Sequence, residues 1–312
     1  MPDYATLIDG PTRAFIADTE AAYPADTSGF TVADLRAAYD AMCRVFYHGR
    51  PAGVQTQDQA IAGVPCRVYH GHSPTVVYFH GGGFYVGGLL SHDDICAEIC
   101  AATGLTVISV DYRLSPEHLH PAAFDDSLAV VQDRLRLGPV VLAGDSAGGN
   151  LACAVAHALR GHAVLEQAVL GHSVLGQVLI YPGLGGNMDA GSYLTHANAP
   201  MLTRADVVMG ATIRQNGPDD PTALPLCDPD FTGLPPTLAI AAECDPIADD
   251  SAAYAAAITA AGGRAVAITE PGLVHGYLRA RHRVPRAARS FARICTAITD
   301  LSNGHWPPRD LT

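Results

Sequence analysis

The chain has 312 residues, 48% of them hydrophobic, and a formal net charge of −12. That length suits one large α/β domain with a small appended one, and the negative charge argues against nucleic acid, whose phosphates need a basic surface. All 19 basic residues are arginine, so a Walker phosphate loop, a pyridoxal-phosphate Schiff base and a Ser–Lys dyad are excluded.

Residues 1–50 read as amphipathic helices. The first twenty show neither the basic region nor the apolar stretch of a secretory signal. Thr31 is positioned to N-cap a helix in which Leu35, Tyr39, Met42 and Phe46 recur at helical spacing. After Arg50 the chain turns to short extended segments. "PCRVYHG" and "TVVYFHG" read as strands, and "LTVISVDY" as a buried strand from its continuous apolar run. "SHDDICAEICAATG" is predicted helical and stopped by Gly104. A helix in "AFDDSLAVVQDRL" and a strand in "PVVLAG" follow. Residues 161–180 read as a decapeptide and its echo, lengthening a connection that leads into the strand "GQVLIYP".

From Gly183 to about Leu226 the strand rhythm stops, and "MLTRADVVMGATIRQNG" is predicted helical. The alternation then resumes with strand "PTLAIAAECDP", helix "ADDSAAYAAAITAAGG", strand "RAVAITE" and a final helix in "VPRAARSFARICTAITDL". Alternating strands and helices imply a mostly parallel sheet covered on both faces. No apolar run approaches the roughly 18 residues of a membrane span, so no stable membrane insertion is expected.

Cys43, Cys66, Cys96, Cys100, Cys153, Cys227, Cys244 and Cys295 form no C-x-x-C pair. Their scatter points to reduced, mostly buried thiols in a cytoplasmic protein. The histidines of "HGH" (70–72) and "HLH" (118–120) lack carboxylate or thiol partners at ligand spacing, so no metal is expected.

The stretch "VVLAGDSAGGNLACAVA" (140–156) sets Ser146 in a glycine-rich turn between a strand and a helix. Such turns also occur without catalysis, so its meaning depends on other loops at the carboxyl ends of the strands, where α/β sheets gather their chemistry. In "VVYFHGGGFYVGG", three glycines after His80 strip side chains from a loop and free its N–H groups to face an oxygen. That suits an oxyanion. A phosphate cradle fits less well in an acidic chain without lysine. Asp245 ends the strand of "AAECDPIADD", where a carboxylate can orient a histidine or cap the helix that follows, a capping job for which Asp249 and Asp250 are also placed. His275 lies in "EPGLVHGYLRA". The order Ser146, Asp245, His275 is that of α/β-hydrolase triads.

Together "HGGGF", "DYRLSPEH", "PAAFDD", "GDSAGGN", "YPGL", "ECDPIADD" and "VHGY", in order over most of residues 75–280, resemble the hormone-sensitive-lipase-like carboxylesterases of the α/β-hydrolase superfamily. The resemblance implies a mostly parallel eight-stranded sheet flanked by helices, with a helical cap. Residues 1–50 and 184–226 would form the cap, and 51–183 with 227–312 the catalytic domain. It implies Ser146 as nucleophile, His275 as general base and then acid, Asp245 as the carboxylate orienting His275, and the N–H groups of Gly82, Gly83 and Ala147 as oxyanion donors. His80 would hold its own loop, and Asp111, Arg113 and Glu117 would brace the sheet and neighbouring loops.

The implied reaction is hydrolysis of short- to medium-chain acyl esters without a cofactor, by a chain that forms a homodimer through a sheet edge. The same machinery serves relatives acting on amides, carbamates or lactones. The plant gibberellin receptors resemble this family and bind a small molecule without turnover, but they lack the triad histidine, which is present here as His275. Three features depart from the family pattern: the repetitive 161–180 stretch, the absence of an aromatic residue near "IRQNG", and an N-terminus similar only in general character.

Overall fold

Ala62 and Gly63 both take left-handed backbone, with φ of 50° and 83°. A tight turn of that kind matches the twist of two antiparallel strands, and it joins β1 (Thr56–Ile61) to β2 (Val64–Tyr69) at one edge of the sheet. The computed structural model describes residues 2–24, 27, 29–160 and 173–309. Its sheet has eight strands in the order β1-β2-β4-β3-β5-β6-β7-β8, with β3 (His72–Phe79), β4 (Leu105–Val110), β5 (Val140–Asp145), β6 (Val174–Ile180), β7 (Thr237–Cys244) and β8 (Ala265–Val274). Strands β3 to β8 pair in parallel, and β2 runs antiparallel to both β1 and β4.

Side chains alternate across the strands. Val76, Tyr78, Val141, Ala143, Val178 and Ile180 pack on one face against α4 (Asp93–Thr103) and α10 (Pro285–Ser302). Val77, Phe79, Leu142 and Leu179 pack on the other, against α5 (Ala122–Leu135), α6 (Ala147–Leu159) and α9 (Ala248–Ala260). Both faces are covered, so these strands carry continuous apolar runs; every residue of β5 is buried. Gly104 ends α4 in left-handed backbone at φ 71°, as its sequence position suggests.

The N-terminal region holds α1 (Tyr4–Leu7), α2 (Gly10–Ala22) and α3 (Val32–Phe46). Thr31 caps α3 in a reciprocal box with Asp34: its Oγ1 accepts the Asp34 N–H (3.2 Å), and its own N–H donates to the Asp34 carboxylate (2.9 Å). Met42 and Phe46 are buried along the predicted face, with Leu35 and Tyr39 half-buried beside them. Between residues 184 and 226 the described chain forms α7 (Gly191–Thr195), α8 (Arg204–Arg214) and one short 3-10 turn, with no strand. The echo in 161–180 falls largely outside the described residues; its end enters β6. No helix among the described residues is long and apolar enough to cross a membrane.

Candidate active site

The loops after β3, β5, β7 and β8 meet at the carboxyl end of the sheet. Ser146 sits between β5 and α6 with φ 54° and ψ −118°, a strained conformation for a residue with a side chain. Its flanking glycines are required by close approach. A Cβ on Gly148 would lie 1.9 Å from the Phe79 carbonyl oxygen, and one on Gly144 would lie 2.4 Å from the Gly148 carbonyl oxygen. The Ser146 N–H donates to the Ile180 carbonyl at 2.8 Å. Ser146 is half-buried while its neighbours Asp145 and Ala147 are buried, so its hydroxyl is the group this turn presents.

His275 Nε2 stands 2.9 Å from Ser146 Oγ, and its Nδ1 stands 2.7 Å from Asp245 Oδ2. Asp245 is fully buried, and its other oxygen accepts the Ile247 N–H at 3.1 Å. The three residues predicted from the sequence therefore form one continuous hydrogen-bonded line. The Tyr181 ring packs 4.8 Å from the His275 ring and meets Tyr277 edge-on at 5.0 Å, so the imidazole is held from the side as well as from its ends.

The glycines after His80 wind a tight turn. Gly82 (φ 129°) and Gly83 (φ 58°) occupy backbone that favours glycine, and a Cβ on Gly82 would lie 2.1 Å from the Val86 carbonyl oxygen. Among the described residues, no protein acceptor takes the N–H of Gly82, Gly83 or Ala147. Ala147 opens α6, so its N–H also carries the positive end of the helix dipole.

His80 holds this loop, as the sequence reading expects. Its ring stacks on Tyr112 at 4.2 Å, and its carbonyl accepts the Tyr112 hydroxyl at 2.6 Å. Burial, with the nearby His92, pushes the His80 pKa down to about 3, so the ring stays neutral. Two of the three residues expected to brace the sheet and loops form ion pairs. Arg113 pairs with Asp126 at 2.8 Å and Glu117 with Arg36 at 2.7 Å. Arg36, on α3, also donates to the Tyr85 carbonyl (2.8 Å) and the Ser115 carbonyl (2.9 Å), tying the N-terminal helix to the glycine loop.

One expectation is corrected. Asp249 and Asp250 do not cap α9: the N-cap position is Ile247, with no side-chain hydrogen bond. Asp249 instead accepts the Ser192 N–H (2.8 Å), and Asp250 accepts the Leu184 N–H (2.6 Å) and the Tyr193 hydroxyl (3.1 Å). Both carboxylates hold the 184–193 segment, because its orphan N–H groups point at them. Of the histidines weighed as metal ligands, His120 is engaged elsewhere: its Nε2 meets Asp220 (2.9 Å) and Thr222 (3.0 Å). Tyr181 and Asp145 were passed over in the sequence. Both lie within quoted motifs, "YPGL" and "GDSAGGN", but their contacts come from distant segments of the chain.

The α/β-hydrolase fold family is matched over residues 76–279. The carboxylesterase NlhH of Mycobacterium tuberculosis is 36% identical, over 75% of this chain and 77% of its own length. An ethyl acetate hydrolase of Pseudomonas putida is 30% identical, over 72% of each chain. The crystal structure of an esterase from the bacterial hormone-sensitive lipase family superposes with a TM-score of 0.81 at 26% identity, covering 97% of this chain and all of that one. A family match running from the glycine loop past His275, on an eight-stranded sheet with this strand order, makes the chain a member of the α/β-hydrolase fold family, in its hormone-sensitive-lipase-like carboxylesterase group.

Proposed function

We propose that this chain is a serine carboxylesterase acting on short- to medium-chain acyl esters, with Ser146 as nucleophile, His275 as base and then acid, and Asp245 as the orienting carboxylate. The observation that carries the proposal is His275 hydrogen-bonded between Ser146 Oγ and Asp245 Oδ2. In acylation, the Ser146 hydroxyl proton passes to His275 Nε2 as Oγ bonds to the ester carbonyl carbon. The carbonyl oxygen takes the negative charge and accepts hydrogen bonds from the Gly82, Gly83 and Ala147 N–H groups. Donors arranged this way are worth roughly 3–4 kcal/mol each to the transition state. The carbon–oxygen bond to the alcohol then breaks, and the alcohol leaves with the proton from His275. Water, deprotonated by the same imidazole, attacks the acyl-enzyme and releases the acid and free Ser146.

The helices of residues 1–50 and 184–226 form the cap in this reading. Its support is their approach to the glycine loop: Arg36 of α3 bonds to the Tyr85 carbonyl, and a Cβ on Gly210 of α8 would lie 3.7 Å from the Gly83 carbonyl oxygen. The preference for small acyl groups draws on the relative named for ethyl acetate. A cytoplasmic location is supported by eight free cysteines. The test is hydrolysis of p-nitrophenyl esters from acetate to palmitate, with Ser146→Ala alongside. Turnover that falls beyond medium chains and vanishes in the variant is expected; no turnover of any ester by folded protein would overturn the proposal.

A further inference from the structure

Asp145 is buried, directly precedes Ser146, and takes no part in the steps above. Its Oδ1 accepts the Tyr78 hydroxyl at 2.8 Å and the Gly81 N–H at 3.0 Å. His92 Nε2 sits astride the carboxylate, 3.2 Å from Oδ1 and 3.3 Å from Oδ2. The Tyr181 hydroxyl approaches Oδ2 at 3.4 Å, and the other nitrogen of His92 rests 2.9 Å from Ser91 Oγ. Burial pushes the carboxyl pKa up, but the His92 imidazole and the Tyr78 hydroxyl outweigh it and hold the group at about 2, so it is ionised in use.

Gly81 immediately precedes the two glycines assigned to the oxyanion. A Cβ there would lie 2.4 Å from Asp145 Oδ2, so loop and carboxylate are in direct contact. Asp145 belongs to the β5 elbow and Gly81 to the loop after β3. One carboxylate thus joins the part of the centre that attacks to the part that stabilises the charge.

We propose that Asp145 is a positioning residue, whose carboxylate, clamped by His92 and Tyr78, sets the distance between Ser146 Oγ and the N–H groups of Gly82 and Gly83. The proposal rests on the esterase reading above. A negative charge this near a developing oxyanion is electrostatically adverse, so the advantage of the residue is geometric. A carboxylate offers two oxygens with about four acceptor sites, enough to receive Tyr78, Gly81 and His92 at once. An asparagine has one acceptor oxygen and would turn an N–H toward one of these donors. Misplacement of a reacting group by about 1 Å costs on the order of 10²-fold in rate.

The test compares wild type, Asp145→Asn and Tyr78→Phe, the last removing one donor to the same oxygen and guarding against an asparagine variant that fails to fold. Stoichiometric labelling with a fluorophosphonate counts competent sites, so that kcat is per folded centre. KM and kcat are measured on p-nitrophenyl butyrate, together with Ki for a trifluoromethyl ketone that adds Ser146 to give a stable tetrahedral oxyanion. The expected result for Asp145→Asn is a fall in kcat of about 10²-fold, KM within about twofold, and ketone affinity weakened in parallel with kcat. Tyr78→Phe is expected to move kcat and Ki the same way by a smaller factor. Unchanged kcat and ketone affinity in labelled Asp145→Asn, or in labelled Tyr78→Phe should the asparagine variant not fold, would overturn the assignment, as would a loss confined to KM. A wild-type chain that neither hydrolyses esters nor takes up the fluorophosphonate would overturn the esterase reading, and this assignment with it.

Discussion

Ser146 and His275 are separated by 129 residues in the chain and by 2.9 Å between Oγ and Nε2. That contact depends on the elbow at the end of β5 and the loop at the end of β8 arriving together, and Asp245 at the end of β7 fixes the imidazole between them. Replacing His275 by alanine should lower kcat by about 10³–10⁶-fold, the range seen when a triad member is lost, and leave the far-UV circular dichroism unchanged. Steady-state kinetics on p-nitrophenyl acetate reads the loss directly; retained turnover would sink the triad.

The elbow glycines allow a second prediction. Gly148→Ala places a methyl group 1.9 Å from a backbone oxygen of the neighbouring strand, and backbone cannot swing aside as a side chain can. Overpacking of a core typically destabilises by about 1–3 kcal/mol, and a contact with backbone belongs at the upper end or beyond. Urea titration followed by tryptophan or tyrosine fluorescence should show an earlier midpoint. A midpoint equal to wild type would mean that β3 and α6 are not in the contact described.

Asp250 makes stability depend on pH. Burial raises its carboxyl pKa to about 7, outweighing hydrogen bonds from Leu184, Tyr193 and Gly186; the nearby Asp245 adds to the rise. The folded state therefore holds this proton more tightly than the unfolded chain, whose aspartate titrates near its ordinary value of 3.8. The resulting stability is fully present below that lower value and is lost as pH rises through about 7. Asp250→Asn cannot titrate, so its melting temperature relative to wild type should climb between pH 5 and pH 8. Parallel melting curves across that range would contradict the assignment.

Thiol reactivity gives a fourth check. Seven of the eight cysteines are buried and Cys227 is exposed. Native protein treated with Ellman's reagent should react promptly at one thiol, with the remainder appearing only on denaturation. Cys227→Ser should remove the fast phase. Several fast thiols in native protein would show that the core opens more readily than its packing implies.

The sequence disclosed the residues whose chemistry or backbone tolerates no substitute. Gly144, Gly148 and Gly82 stand where a Cβ would collide with backbone, and the Ser146, Asp245 and His275 side chains form a hydrogen-bonded line that few other sets could. The helix boundaries at Thr31 and Gly104 were legible because capping is local. Edge strand β1 passed only as part of an extended stretch: "TQDQAI" is exposed along most of its length and lacks the apolar run that marked β4 and β5. The error over Asp249 and Asp250 has the opposite origin. Their position at the start of α9 suggested a local role, whereas their partners lie near Ser192 and Leu184, well before them in the chain. The Asp145–His92 pair was hidden for the same reason, since 53 residues separate its members.

Arg36 joins the third helix of the chain to the Tyr85 and Ser115 carbonyls, while His275 and the helix α10 behind it come from the last part. A nascent chain emerging from the ribosome holds its glycine loop and Ser146 long before His275, and the loop is anchored to a segment made earlier still. Turnover by the proposed triad therefore depends on segments as far apart as Arg36 and His275, and its return during refolding would mark the moment when both have reached their native places.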